Sequence, residues 1–261
     1  MNLFLQGIQW VLDPAHYGGE NGIDTRTIQH LLISLWVLAI AAVIAIPAGF
    51  AIGHSRRERQ RGLPLVVTAF LGENGSGRGF VIGLSGGVRA LPTLGLISII
   101  ALNFNVGIGI EAPLIALVVL AVPSILAGAY AGFEAVNAGT IDAARAVGMT
   151  EWQILRSIEV PLGLPLLIGG LRSASLQVIA TATLADYIDG GGLGHFIFLG
   201  IQTQDYPQML AGSIVVVILA LLSEALFSVI QRLVVPAGVR ARAVRVVPTS
   251  VRTRPTRSSA V

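Results

Sequence analysis

The sequence predicts an all-α polytopic membrane protein with about five transmembrane helices. Hydrophobic residues make up 54% of the 261-residue chain, charged residues make up only 12%, and the mean hydropathy is +0.77. Soluble globular domains usually carry about 25% charged residues. Long apolar runs alternate with short polar stretches, which leaves no room for a separate soluble domain of ordinary size. Cysteine is absent, which excludes disulfide and thiol chemistry.

The first 27 residues are predicted to form an extracytoplasmic N-terminal segment, ahead of a transmembrane domain at 28–231. Residues 1–12 are apolar but too short to cross the bilayer. They also lack the basic start and the cleavage site of a signal peptide, so an interfacial helix is expected. A polar loop that contains several glycines is expected at 13–27.

Five apolar runs are candidates to cross the hydrocarbon layer of roughly 30 Å, which takes about 20 helical residues. Pro47 and Gly49 near the end of the first run are tolerable in a packed bundle, whereas Pro92 and several glycines make the second run irregular. The run at 193–201 is half as long as a span and is expected to lie at the outer surface or to re-enter the membrane. The five spans are predicted at 28–52, 80–102, 113–133, 164–187 and 209–230.

The arginines predict which side of the membrane each loop faces. All 17 basic residues are arginine, and the loops at 103–112 and 188–208 contain none. By the positive-inside rule, the arginine-rich side is cytoplasmic. The N-terminus is then outside, and residues 232–261 form a disordered, arginine-rich cytoplasmic tail. The arginines outside the spans on the cytoplasmic side are Arg56, Arg57, Arg59, Arg61, Arg78, Arg145, Arg156, Arg232 and those of the tail, whereas Arg26 lies on the other side.

A polar segment at residues 141–161 interrupts the apolar pattern between the third and fourth spans, and we call it the elbow. Thr140 is expected to cap its first short helix, at 141–147, because a threonine oxygen can accept a free backbone N–H at a helix start. Gly148 is expected to end that helix, since glycine adopts the left-handed conformation at little cost.

The second half of the elbow is predicted to be another helix. Thr150 and Gln153 have the spacing of a capping box, and Pro161 is expected to end the helix. One face of this helix is expected to pack on the spans, and it carries Trp152, Leu155 and Ile158.

The spacing in the elbow resembles the loop motif of ABC importer permeases, E-A-A-x-x-x-G followed after nine residues by I-x-L-P. Aspartate stands here for the glutamate and valine for the leucine, so charge and apolar character are kept. In that family the loop is the coupling helix, which docks in a groove on the cytoplasmic ATPase subunit. The resemblance implies that the coupling residues here are Asp142, Ala143, Ala144, Gly148, Ile158 and Pro161.

Further stretches resemble the osmoprotectant branch of these permeases, whose members import glycine betaine, choline or carnitine. They lie at 30–35, 89–96, 180–185 and 191–194, and the resemblance covers about residues 28–231. It implies a type I transmembrane domain in the bacterial plasma membrane that does no bond chemistry. It also implies three kinds of partner: two ATPase subunits, a second permease subunit that is identical or different, and an extracytoplasmic substrate-binding protein.

The chain lacks the residues that would let it bind ATP itself. No G-x-x-x-x-G-K-[ST] phosphate loop is present, and the glycine-rich stretch at 72–79 has no lysine. No nucleophile–base set or metal-ligand spacing occurs either, so neither catalytic nor metal-binding residues are predicted. We therefore expect no enzymatic activity and no cofactor in this chain, with ATP and Mg²⁺ bound by the partner ATPase.

Polar residues within the spans are the candidates for a translocation path. Gln177, Thr181 and Thr183 form a polar stripe on the fourth span, although hydrogen bonds between helices explain such residues equally well. Arg89 and Arg172 also lie in or near spans, where a charge costs at least roughly 2.5 kcal/mol. Arg89 is included among the path candidates, but both arginines are close to predicted cytoplasmic ends, which favours snorkelling to the interface.

Two alternative functions stay open on these observations. The same architecture would suit another small solute, such as methionine. An ATPase-independent channel or secondary transporter is the other alternative, and such proteins usually show internal repeats and intramembrane acids. No internal repeat is found, and Glu224 in the fifth span is the only midspan carboxylate.

Overall fold

The computed structural model describes residues 2–58, 91–103 and 107–234, with the backbone alone at 51–58. Regular structure in these residues is entirely helical, which confirms the all-α prediction. Among the described residues, four helical segments are long and apolar enough to cross a membrane: Ile23–Phe50, Glu111–Glu134, Glu151–Ile188 and Tyr206–Val234.

Nine α-helices are described. A π turn, Leu155–Glu159, joins the sixth helix to the seventh, and a 3₁₀ turn, Ala182–Ile188, extends the seventh. In chain order the helices are α1 (Leu3–Leu12), α2 (Ile23–Glu58), α3 (Thr93–Asn103), α4 (Glu111–Glu134), α5 (Ala138–Ala146), α6 (Glu151–Ile154), α7 (Val160–Thr181), α8 (Gly194–Thr203) and α9 (Tyr206–Val234).

The main core lies where α2, α4 and α7 meet. Val37, Ile125 and Val178 are buried there, one from each helix. The backbones of α4 and α7 lie close together at two pairs of glycines, Gly128 with Gly170 and Gly132 with Gly163. Between helices in lipid, close van der Waals packing replaces the hydrophobic driving force, so these small residues allow the bundle to form.

The predicted short N-terminal helix is present as α1, which packs on the N-terminal half of α9. Gly7 of α1 lies against Leu210 of α9. Trp10 stacks on His16 at a centroid distance of 3.7 Å and meets the ring of Phe196 edge-on at 5.4 Å. The half-length helix predicted near residue 193 is α8, and it also packs on α9.

The first span begins five residues earlier than the predicted start at residue 28. Helix α2 starts at Ile23, so the polar loop is shorter than expected. Asp24 explains the earlier start, because its carboxylate accepts a hydrogen bond from the Gly18 N–H at 2.9 Å. Its negative charge also suits the positive end of the helix dipole in the first turn.

Part of the second predicted span lies outside the described residues. Its last part is helix α3, whose Ile97 and Ile100 are buried against α4. Residues 59–90, which include Arg89, are outside the described part of the chain, as are residues 235–261.

Pro161 does not end a helix, contrary to the prediction. Glu151–Ile188 forms one unbroken helical segment of 38 residues, so the elbow continues directly into the fourth span. In the π turn, the Val160 N–H donates to the carbonyl of Leu155, one residue further back than in an α-helix. The wider turn accommodates the proline ring at the start of α7, where a missing N–H is tolerated.

Candidate functional site

The first helix of the elbow begins three residues earlier than predicted. Asn137 is the N-cap in place of Thr140, and its side-chain oxygen accepts the Gly139 N–H at 2.7 Å. The predicted stop at Gly148 is confirmed: its φ is +87°, and its N–H donates to the Arg145 carbonyl at 2.9 Å. The elbow therefore turns at a glycine, the residue type that adopts this φ most readily.

The second helix begins with the predicted capping box between Thr150 and Gln153. A contact that the sequence did not predict joins the two helices: Arg145 donates from Nε and Nη2 to the two carboxylate oxygens of Glu151, at 2.7 and 2.9 Å. This hydrogen bonding raises the pKa of Arg145. Because both side chains are partly exposed, the pair contributes less than about 1 kcal/mol and acts mainly to orient the helices.

A small core of its own holds the elbow together. Ile141, Ala144 and Ile154 are buried in it, and Met149 and Ile158 pack against them. Two of the predicted coupling residues, Ala144 and Ile158, thus face inward and support the shape of the elbow.

The opposite edge of the elbow is exposed. Asp142, Ala143 and Gly148 lie on it, together with Val147, which is 79% exposed. Trp152 is 68% exposed, so the prediction that it packs on the spans is wrong. We call these five residues the exposed edge. Pro161 lies apart from it, half-buried at the base of α7.

The predicted path residues on the fourth span are occupied with local contacts. Gln177 accepts a hydrogen bond from the Ser124 hydroxyl of α4 at 3.2 Å. Thr181 and Thr183 donate to backbone carbonyls of their own helical segment, Gln177 and Ala180, at 2.7 and 2.8 Å. A role for these side chains in a translocation path therefore stays a prediction.

Arg172, for which snorkelling to the interface was the favoured expectation, has a side-chain partner on another helix. It forms a bidentate ion pair with Glu224 of α9, in which Nε donates to Oε2 at 2.6 Å and Nη2 contacts Oε1. The only midspan carboxylate that the sequence offered for a secondary transporter is thus paired with an arginine.

His30, which was given no role from the sequence, joins three parts of the fold at the end of the bundle away from the elbow. Its ring is fully buried. Nε2 lies 2.9 Å from the Ile179 carbonyl and Nδ1 lies 3.4 Å from the Leu193 N–H. Since the Leu193 N–H donates to Nδ1, the proton sits on Nε2, and the neutral ring links α2, α7 and the glycine-rich turn before α8.

Replacing His30 with leucine is expected to destabilise the bundle by about 2 kcal/mol, because it removes the side-chain hydrogen bonds to two buried backbone groups. The melting temperature of the purified protein in detergent would measure this. The matched control is Leu31→Ala, next to His30 but exposed on α2, which should melt close to wild type. Equal melting of the two variants would contradict the role of the His30 ring.

A charged cluster lies beside His30. Arg26 lies 3.9 Å from Asp186, and His195 lies 3.8 Å from the same carboxylate. Arg26 also donates to Asn21 at 2.6 Å and to Gln29 at 3.2 Å. Burial lowers the pKa of His195, and Arg26 lowers it further, while Asp186 opposes the shift. The cluster thus joins the start of α2 to the segment after α7.

Comparison with known proteins places this architecture among transport permeases. The family described as "Binding-protein-dependent transport system inner membrane component" matches residues 62–238. The glycine betaine/carnitine/choline transport system permease protein OpuCB of Bacillus subtilis (strain 168) is 31% identical over 223 residues, which cover 85% of this chain and 92% of that protein. The carnitine transport permease protein OpuCB of Listeria monocytogenes is 33% identical, covering 85% and 93%.

Solved structures show the same fold. A chain of the MetNI methionine ABC transporter, in an inward-facing conformation, superposes with a TM-score of 0.65 over 82% of this chain and 96% of that chain, at 22% sequence identity.

Proposed function

This chain belongs to the family of binding-protein-dependent transport system inner membrane components, and we propose that it is the permease subunit of an ATP-driven ABC importer for osmoprotectants such as glycine betaine, choline or carnitine. As a multi-pass membrane permease it provides the passage, and a separate ATPase provides the energy. The names of the relatives support this solute class.

The proposal assigns ATPase coupling to the exposed edge of the elbow. The observation that carries it is the continuity of the elbow with the fourth span: the 38-residue segment Glu151–Ile188 begins at the elbow and crosses the bundle without a break. A protein that binds the exposed edge and moves it therefore moves the axis of α7. The arginine distribution favours a cytoplasmic elbow and an outside N-terminus, so a cytoplasmic ATPase has access to that edge.

The exposed edge has the chemistry of a docking surface. Val147 and Trp152 offer apolar side chains that water surrounds in the isolated chain. Tryptophan is among the residues most often found at the energetic centre of protein interfaces. Asp142 lies 3.5 Å from Arg145 and adds a charged rim beside them.

The geometry at Glu224 favours the ATP-driven importer over a secondary transporter. A carboxylate that carries coupling ions needs to take up and release a proton or cation within the membrane. The bidentate contact with Arg172 occupies both carboxylate oxygens of Glu224, so neither oxygen is open to a coupling ion.

Reconstitution in proteoliposomes with the ATPase and binding protein encoded beside this chain tests the proposal. We expect uptake of radiolabelled glycine betaine that requires ATP and that unlabelled choline or carnitine reduces. Methionine as the only effective competitor would instead identify an amino-acid permease. Uptake in vesicles that lack the ATPase would contradict the ATP-driven mechanism.

Replacing Trp152 with serine is expected to weaken binding of the partner ATPase by roughly tenfold or more, because truncating a central interface tryptophan costs about 2 kcal/mol. Co-purification titrated with the ATPase would measure the loss. The control is Tyr206→Ser, which removes a similarly exposed aromatic ring at the opposite end of the bundle. If both variants bind the ATPase equally well, the exposed edge is not the docking surface.

A further inference from the structure

Helix α9 is apolar, yet its two halves are attached to the bundle by different kinds of contact. Following the predicted topology, we call residues 206–219 its outer half and residues 220–234 its inner half. The buried residues of α9 are Ala211, Gly212 and Leu219, all in its outer half. No residue from 220 to 234 is buried, although the structure describes all of them. Buried apolar side chains therefore hold the outer half of α9, whereas the inner half has none that is fully buried and needs further contacts with the bundle.

Polar contacts with α7 supply that attachment. Glu224 pairs with Arg172, Ser223 lies 2.6 Å from Ser175 between the two hydroxyl oxygens, and Gln231 donates to the Pro165 carbonyl at 3.4 Å. Residue numbers increase along α7 as they decrease along α9 from one contact to the next, as expected for antiparallel helices. The three contacts therefore form one continuous line between the two helices, which we call the seam. In lipid, where apolar side chains gain little from contact with each other, hydrogen bonds of this kind select the partner helix.

The ion pair is the strongest contact of the seam. Glu224 lies about 15 Å from the inner end of α9 and about 27 Å from its outer end, counting 1.5 Å per residue, which is within the hydrocarbon layer. The side chains of Arg172 and Glu224 are 35% and 32% exposed, so the protein covers most of each. Bidentate charge-assisted hydrogen bonds also fix the relative orientation of the two groups.

The position of Arg172 connects this pair to the elbow. Arg172 lies on the unbroken segment Glu151–Ile188, whose first residues form the second helix of the elbow. A displacement of the elbow therefore also displaces Arg172. Because Arg172 is paired with Glu224, that displacement is transmitted to α9. Helix α9 in turn carries α8 and α1 at its outer half.

We propose that the Arg172–Glu224 pair is an intramembrane clamp that makes the inner half of α9 move with α7, and so passes displacement of the elbow to the outer elements of the permease. The clamp rests on the proposed coupling of the elbow to an ATPase. Arg172 and Glu224 are positioning residues in this role, since they transmit movement and need not touch the solute.

Spin labels test the clamp without reference to the solute. The chain has no cysteine, so Leu166→Cys on α7 and Val229→Cys on α9, both exposed positions, give one labelled pair. In the complete transporter we expect the same label-to-label distance with and without ATP, because the two helices move together. With Arg172→Leu/Glu224→Leu, ATP should change or broaden that distance. A nucleotide-dependent distance in the wild-type background overturns the proposal, as does an unchanged distance in the double variant.

Transport measurements on the same variants provide a second readout. The apolar double variant avoids an unpaired intramembrane charge and should insert normally. We expect it to hydrolyse ATP but to move roughly tenfold less glycine betaine per ATP. The charge-reversed variant Arg172→Glu/Glu224→Arg should recover most of the loss, and the control Ser173→Ala, exposed beside Arg172, should match wild type. Unchanged uptake per ATP in the apolar variant refutes the clamp, whereas absence of glycine betaine uptake by the wild type would refute only the proposed solute.

Discussion

Replacing Gly170 with valine is expected to prevent stable assembly of the helix bundle. A Cβ at this position would lie 2.9 Å from the Cα of Gly128 and 2.9 Å from the Ser124 carbonyl oxygen. Both atoms belong to the backbone of α4, so they cannot move aside as a side chain can. Separating α4 from α7 to make room would open the main core, at a cost above about 3 kcal/mol.

Gly169 provides the matched control for this prediction. It is the preceding residue of the same helix, yet a Cβ there would meet no heavy atom within 4 Å. Gly169→Val should therefore accumulate in the membrane and melt in detergent like wild type, while Gly170→Val should be lost or melt far lower. Equal behaviour of the two variants would mean that α4 and α7 do not cross at these glycines.

The parts of the fold that depend on local chemistry were predictable from the sequence. The third and fifth spans were confirmed as α4 and α9 because each is a long apolar run between polar residues. The turn at Gly148 and the capping box at Thr150 were also confirmed. In these cases the signal comes from residues within one helical turn of each other, where backbone conformation decides the structure.

The face of the elbow helix was not predictable in the same way. A period of 3.6 residues places Trp152, Leu155 and Ile158 on one side. Trp152 and Ile154 are two positions apart and so lie on different sides of the helix, and packing against Ile141 and Ala144 buries the Ile154 side. The π turn at Leu155–Glu159 then changes the period further along the segment. Residue type alone did not indicate the π turn, which also explains why Pro161 failed to end the helix.

Contacts between distant residues account for the other differences. Arg172 and Glu224 are 52 positions apart, and His30 and Ile179 are 149 apart. From the sequence, Arg172 was expected to snorkel to the interface, Glu224 was an isolated carboxylate in an apolar run, and His30 was given no role. Their pairing depends on how α7 packs against α9 and α2, which is set by side-chain packing along the whole helices.

The second large effect is expected at Gly148, where valine should abolish transport and leave the bundle intact. The φ of +87° is strained for a β-branched residue by roughly 1–3 kcal/mol. The space around Gly148 is open, with no heavy atom within 4 Å of a Cβ, so backbone strain is the only penalty. Relief of that strain would unwind the turn, separate Arg145 from Glu151 and displace the exposed edge.

Asparagine at Gly148 separates this effect from the mere presence of a side chain, because asparagine tolerates the left-handed region. We expect Gly148→Val to melt like wild type, since the elbow lies outside the main core, but to lose uptake of glycine betaine by more than about tenfold. Gly148→Asn should keep most of the uptake. If the valine variant transports normally, the elbow does not couple the permease to the ATPase. If asparagine is as damaging as valine, Gly148 is needed for close approach of the ATPase and not for the turn.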